Sequence, residues 1–345
     1  MTKQHTKIPY SILELATVGE GAKLTDVYRD SLNLAQKAEE MGYSRFWLAE
    51  HHNMVSIASS ATSVLMGYIA GGTRSIRVGS GGIMLPNHSP LLIAEQFGTL
   101  GSLYPKRIDL GLGRAPGTDQ LTAQAIRPDR MQAVYDFPEE VGKIQQYFSH
   151  ENRNAKVRAT VAEGVDVPIY ILGSSTDSAH LAARKGLPYV FASHFAPTHL
   201  FEALNIYYNN FEPSTYLEAP YTMGCINVIA ADTDVEAERI STSMLRLMLG
   251  VMTGKLDYLK APIDMTPQLR QISKEPAFQR MLKYAFVGSK ETVRQKTVSF
   301  LQETGVNEIM AVSHIYNPDE RIKSFQIFSE IMKENISEHQ SISLQ

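Results

Sequence analysis

Eight apolar runs recur along this chain, and each is followed by a stretch with helical periodicity. They fall at residues 8–15, 45–50, 76–85, 107–111, 168–172, 189–193, 221–230 and 308–313. Most are continuous rather than alternating, which is the pattern of parallel strands covered on both faces. Helical patterns occupy 25–41, a stretch from Pro90 to about residue 103, 57–72, 130–148, 175–186, 198–210, 233–249, 289–304 and 318–335. Thr25, Ser89, Asp232 or Thr233, and Ser289 stand where N-caps belong, Pro90 suits a first helical position, and Gly42 suits a stop. Eight strand–helix alternations without a compositional break predict an α/β fold. The expectation is a single (β/α)₈ barrel domain over 1–345, with the doubly wound open sheet as the alternative. Two stretches exceed ordinary connections: 115–128, and 250–286 after the seventh helix. The second is expected to be a lid insertion.

Charge and cysteine content narrow the function. A net charge of −3 offers nothing to nucleic acid or to an acidic membrane. The single cysteine, Cys225, excludes an intrachain disulfide and a thiolate metal cluster, and its apolar neighbours suit a buried strand. The first residues lack the apolar core of a secretory signal, and no run reaches the ~20 apolar residues that cross a bilayer. A cytoplasmic protein is expected.

In a barrel the chemistry sits where strands end. The second run ends in Glu50-His51-His52, and a histidine there can give or take a proton near neutral pH. Neighbours on an extended chain point oppositely, so the pair is a poor metal site and no metal is expected. The third run ends in Gly79-Ser80-Gly81-Gly82. Glycines inside a strand imply either a kink or a close approach by something flat, such as a ring. After the fourth run come Gly111-Leu112-Gly113-Arg114; the glycine pattern is weak as a dinucleotide fingerprint, but Arg114 suits a phosphate or carboxylate. After the fifth, Gly173-Ser174-Ser175-Thr176-Asp177-Ser178 opens a helix, which offers N–H groups and hydroxyls to an anion. Arg114 with Ser174, Ser175 and Ser178 suggests one phosphate held between neighbouring loops. His194 ends the sixth run and is expected to face substrate; His88 reads as structural. There is no Walker loop, HExxH or GxSxG.

In order, MGYSRFWLAEHH, VGSGGIMLPNHSPLLIAEQFGTL, RIDLGLGRAPG and LGSSTDSAHLAARKGLP resemble the luciferase-like monooxygenase family, in the FMN-using branch near the bacterial luciferase alpha chain. The resemblance covers nearly the whole chain and is densest between 41 and 190. It implies a (β/α)₈ barrel with FMN across its mouth. It implies that His51 assists flavin peroxide chemistry and that Gly81–Gly82 form a non-prolyl cis peptide against the isoalloxazine ring. Arg114, Ser174, Ser175 and Ser178 would hold the phosphate beside Gly113 and Gly173. Arg130 matches a second phosphate arginine, with Arg127 as its rival. Gly113 stands where bacterial luciferase has a reactive cysteine and Ser174 where it has an acid, so neither aldehyde specificity nor light emission follows. The activity implied is a two-component monooxygenase. A separate flavin reductase would deliver reduced FMN, which with O₂ would oxygenate a small organic substrate through a C4a-peroxyflavin. A homodimer packed through early barrel helices is also implied. The competing readings are a deazaflavin-dependent oxidoreductase and a flavin-binding protein without catalysis.

Overall fold

The computed structural model describes residues 7–334. Its strands are β1 (Tyr10–Glu14), β2 (Arg45–Leu48), β3 (Arg77–Ser80), β4 (Ile83–Met84) and β5 (Ile108–Gly113). They continue as β6 (Ile169–Gly173), β7 (Tyr189–Phe191), β8 (Thr222–Ala231), β9 (Ala285–Ser289) and β10 (Glu308–Val312). Each of the eight predicted runs contributes a strand to a parallel ring ordered β1-β2-β3-β5-β6-β7-β8-β10. β10 pairs with both β8 and β1, which closes the barrel and excludes the open sheet.

Several boundaries differ from the sequence reading. The third run breaks at Gly81–Gly82, a cis peptide, and resumes as β4 and the short 3₁₀ turn Leu85–Asn87. β9 begins at the end of the 250–286 stretch expected to be an insertion, runs three residues past it, and pairs with the distal half of β8. Asn227 pairs with β9 and with β10, so β9 must occupy the edge of β8 that β7 uses nearer its start. The 130–148 helix is two, Arg130–Tyr135 and Phe137–Phe148, because Pro138 has no N–H to continue the ladder. The helix expected at 57–72 begins only at Thr62, and 115–128 contains a short helix, Gln120–Ile126, capped by Asp119. The first helix starts at Leu24 after Lys23, so Thr25 is not its cap. Ser89 and Ser289 precede helices without a side-chain capping bond, whereas Thr233 accepts from the Glu236 N–H. That helix runs on to Thr253 and stops at Gly254, in the left-handed region at φ 68°. Residue 335, the predicted end of the last helix, lies outside the described residues.

Two cores result from strand alternation. Ile12, Phe46, Leu48, Val78, Leu110 and Ile171 face outward onto the helices. Leu13, Leu15, Trp47, Ala49, Tyr170, Val190, Met223, Cys225, Met310 and Val312 face the barrel axis. Cys225 is buried there, and burial pushes its thiol up to about 12. Below this apolar middle, the strand starts carry a buried ionic layer. Arg45 bridges Asp109 (2.8 Å) and Glu308 (3.2 Å), and Arg77 pairs with Asp109 (2.5 Å). Trp47 Nε1 donates to Asp109 and Tyr221 donates to Glu308. The bottom of the barrel is therefore closed by satisfied charges, and its mouth lies at the strand C-terminal ends.

Candidate active site

The alternation that sets the axial core continues past the strand ends. Trp47 and Ala49 are axial, so His51 follows them inward; Val190 leads to His194, and Met310 and Val312 lead to His314. His194 and His314 each feel the charge of His51, and His314 also that of His194. The three imidazoles thus share the mouth of the barrel. Asn227, two residues beyond axial Cys225, is 1% exposed and belongs to the same layer. His314 and Asn227 were not singled out from the sequence. His314 lies one residue beyond the predicted 308–313 strand, so the strand-end argument that finds His51 and His194 also applies to it.

His51 is fixed by the loop after β5. Its Nδ1 lies 3.1 Å from the Gly117 carbonyl. A carbonyl only accepts, so Nδ1 carries the proton and Nε2 keeps its lone pair, without a hydrogen bond among the described residues. Burial lowers the pKa of this histidine against the pull of the Gly117 bond and of Glu50. The ring is therefore neutral at physiological pH, in the tautomer a proton acceptor needs. Gly117 itself sits at φ 65°, and a Cβ there would come within 2.7 Å of the Glu50 carbonyl. No larger residue fits without shifting the anchor.

Glu50 points the other way, away from the axis. Its carboxylate accepts from His52 Nε2 (2.9 Å), His88 Nε2 (2.9 Å) and the Met84 N–H (3.1 Å). Burial would raise its pKa, but these bonds hold it down to about 2. His52 and His88 are thus tied to a buried anion that braces the Leu85–Asn87 turn. Among the described residues no group of three or more His, Cys, Asp or Glu could hold a metal ion.

The glycines have a packing explanation. A Cβ on Gly81 would approach Leu13 Cδ1 to 2.6 Å, and one on Gly82 would approach the Gly111 carbonyl to 2.7 Å. The crowding comes from the barrel wall, so the kink alone accounts for both residues and no ring is required to explain them. Gly113 pairs with Met84 across the β4–β5 ladder, and a Cβ there would meet Met84 Sδ at 3.0 Å.

Three cationic or N–H features converge between β5 and β6. Arg114 pairs with exposed Asp177 in the first turn of the helix Thr176–Arg184 (3.0 Å). Arg130 reaches the Arg114 carbonyl (3.4 Å) and Asn87 Oδ1 (3.1 Å), and it has no carboxylate partner among the described residues. Arg127, the rival, is tied to Asp129 and Glu140 and is not available in the same way. Ser175 precedes the helix without a capping bond, and Ser174 beside it is half-buried. Ser178 is committed within the loop: it donates to the Ser175 carbonyl (2.8 Å) and lies 3.1 Å from the Tyr189 hydroxyl. Gly173 lets the Ser178 hydroxyl close in, since a Cβ would sit 2.0 Å from the Ser178 Oγ. Two arginines and open helix N–H groups suit a phosphate dianion. A separate cavity of about 290 Å³ lies outside the barrel wall, lined by Glu14, Ser31, Tyr316, Arg321 and Leu259. It shares none of these residues.

The luciferase-like monooxygenase family model matches residues 8–308. An *Escherichia coli* K12 protein described as a luciferase-like monooxygenase is 47% identical over 327 residues, covering 95% of this chain and 98% of its own. A *Bacillus subtilis* N-acetyl-S-alkylcysteine monooxygenase is 34% identical over 330 residues, covering 94% and 98%. The apo crystal structure of MsnO8 superposes with a TM-score of 0.86 at 31% identity, covering 94% of this chain and 98% of that one. Two more distant structures share the fold. One is the FMN complex of the oxygenating component of 3,6-diketocamphane monooxygenase from *Pseudomonas putida*, at 16% identity and TM-score 0.71, covering 95% and 98%. The other is an F420-dependent secondary alcohol dehydrogenase, at 14% identity and TM-score 0.67, covering 95% and 100%. With the barrel, the strand-end histidine and the family match agreeing over most of its length, this chain belongs to the luciferase-like monooxygenases.

Proposed function

We propose that this protein is the oxygenase of a two-component FMN system, receiving reduced FMN from a separate flavin reductase and oxygenating a small organic molecule in the cytoplasm. The observation that carries the reading is one cationic corner, Arg114, Arg130 and the start of Thr176–Arg184, next to the loop after β5 that also anchors a neutral His51. Arg114 and Arg130 would hold the flavin phosphate, with Ser174 and Ser175 adding hydrogen bonds and Gly113 and Gly173 leaving room for them. Ser178 would brace this loop through the Ser175 carbonyl, donating to phosphate only after its hydroxyl turns. Gly81–Gly82 would set the floor under the ring. Reduced FMN supplies the two electrons by which O₂ is activated. His51 would accept or return the accompanying proton at Nε2, while Gly117 holds its Nδ1–H. His194 would face the substrate.

Water exclusion falls to the insertion, bounded here as 254–284 between the helix end and β9. Its backbone pairs with the loop after β1 through Leu259 and Val18, and Phe278 is buried against the helix Asp234–Thr253. A segment docked in this way can serve as a cover, as a reactive flavin site requires. A homodimer is supported by exposed Val64, Tyr68, Leu92 and Leu103 on the helices Thr62–Gly72 and Pro90–Leu103. No helix among the described residues is long and apolar enough to cross a membrane.

Binding reduced FMN, riboflavin and the deazaflavin cofactor F420 side by side tests the proposal. FMN should bind most tightly, and riboflavin more weakly by tenfold or more (roughly 1.5–3 kcal/mol per charge-assisted bond). Tighter binding of the deazaflavin would move the protein to the other branch of the fold. Equal binding of FMN and riboflavin would remove the phosphate corner.

A further inference from the structure

Among the described residues, His194 Nδ1, Asn227 Oδ1 and His314 Nδ1 are buried polar atoms at the mouth without a hydrogen-bond partner. His194 and His314 follow the ends of β7 and β10, and Asn227 lies within β8 between them, level with Val312 at the end of β10 and bonded to the His194 carbonyl, so the three form an arc over consecutive barrel strands. Native proteins leave few such atoms, because each forfeits about 1–3 kcal/mol of hydration, and a bound molecule is one way to satisfy them. Asn227 is oriented by its neighbour. Its Nδ2 donates to the His194 carbonyl at 2.7 Å, so the other end, Oδ1, must be the oxygen and points elsewhere. The arc therefore presents an acceptor without a donor, flanked by two imidazoles that each carry one N–H and one lone pair.

Charge narrows what fits. Burial, reinforced by His51, pushes His194 down to about 4. Burial, reinforced by His194, Arg321 and His51, pushes His314 down to about 3. Both rings are neutral at physiological pH, and the charge of Arg321, the nearby cation, is paired with Glu14 through one terminal nitrogen, while its Nε lacks a hydrogen-bond partner among the described residues. A carboxylate would meet Asn227 Oδ1 as a second acceptor and would have to share Arg321 with the Glu14 carboxylate. A head group that both donates and accepts would satisfy all three atoms.

We propose that His194, Asn227 and His314 form the substrate-recognition arc of this site and select molecules with a neutral, amide-like head over carboxylates and simple ketones. The inference rests on the oxygenase reading above, since it assigns the far wall of the same mouth.

Three probes of matched shape test it: hexanamide, hexanoate and 2-heptanone, titrated by calorimetry into the full-length protein loaded with FMN. Hexanamide should bind about tenfold more tightly than either, the worth of one or two hydrogen bonds in a dry site. In His314→Phe and in Asn227→Leu the amide and ketone should become equivalent, with FMN affinity unchanged; His314→Gln should recover part of the difference. No amide preference in the wild type, or a preference that survives both His314→Phe and Asn227→Leu, would overturn the arc. Loss of FMN binding with the amide preference intact would instead sink the flavin reading and leave the arc standing.

Discussion

His51 and Glu50 are sequence neighbours with opposite duties, and alternation about the β2 exit separates them. His51 faces the axis with a free Nε2, while Glu50 faces outward and gathers His52, His88 and the Met84 amide. The Glu50 carboxylate is held at about 2 in the fold against an ordinary 4.5. A depressed acid contributes stability above its unfolded pKa and loses it as pH falls toward the folded one. That contribution is on the order of 3 kcal/mol at neutral pH and should fall by about half by pH 3. Urea unfolding of wild type and Glu50→Gln at pH 7 and pH 3 checks this: a clear gap at pH 7 should narrow at pH 3, and a constant gap would deny the anion its role. At this scale the sequence is legible where a titratable residue ends an apolar run, as at His51 and His194. It is less so where a role depends on a partner. Nothing adjacent in the chain marks Gly117 as the carbonyl that sets the His51 tautomer, or Asn227 as an unsatisfied acceptor inside a strand.

Elements follow the same division. Long apolar runs announce strands because a barrel strand is buried on both sides, and all eight ring strands answer to one. β9 escapes because AFVGS is short and half-buried, and it sits beside β8 rather than closing the ring. The break between Gln120–Ile126 and Arg130–Tyr135 matters for the site, because it leaves Arg127 at the end of one helix and Arg130 at the start of the next. Arg127 turns toward Glu140, whereas Arg130 turns toward Asn87 and the Arg114 carbonyl. Arg130→Ala should weaken FMN about tenfold and leave riboflavin unchanged, since only phosphate distinguishes the two ligands. Arg127→Ala should leave FMN affinity within about twofold and lower the melting temperature instead, because it strips the partner from buried Glu140. The reverse assignment of these two effects, read by flavin-fluorescence titration and thermal melts, would exchange their roles.

Across the whole molecule the barrel separates stability from chemistry along its axis. Asp109 and Glu308 hold two arginines at the closed end, apolar side chains fill the middle, and imidazoles, an amide and glycines line the open end. This polarity follows from parallel topology, in which every strand ends on the same side. The order of motifs in the chain predicts that shared mouth, but not which outward loops cover it or what they select. The central claim is that this mouth protects reduced flavin while O₂ reacts under the control of His51. Its most direct measurement mixes the protein, loaded with photoreduced FMN, into oxygenated buffer and follows the return of the oxidised-flavin spectrum. The predicted result is a return markedly slower than for free reduced FMN, and faster again in His51→Ala at unchanged FMN affinity. A return at the free-solution rate in the wild type would contradict the claim.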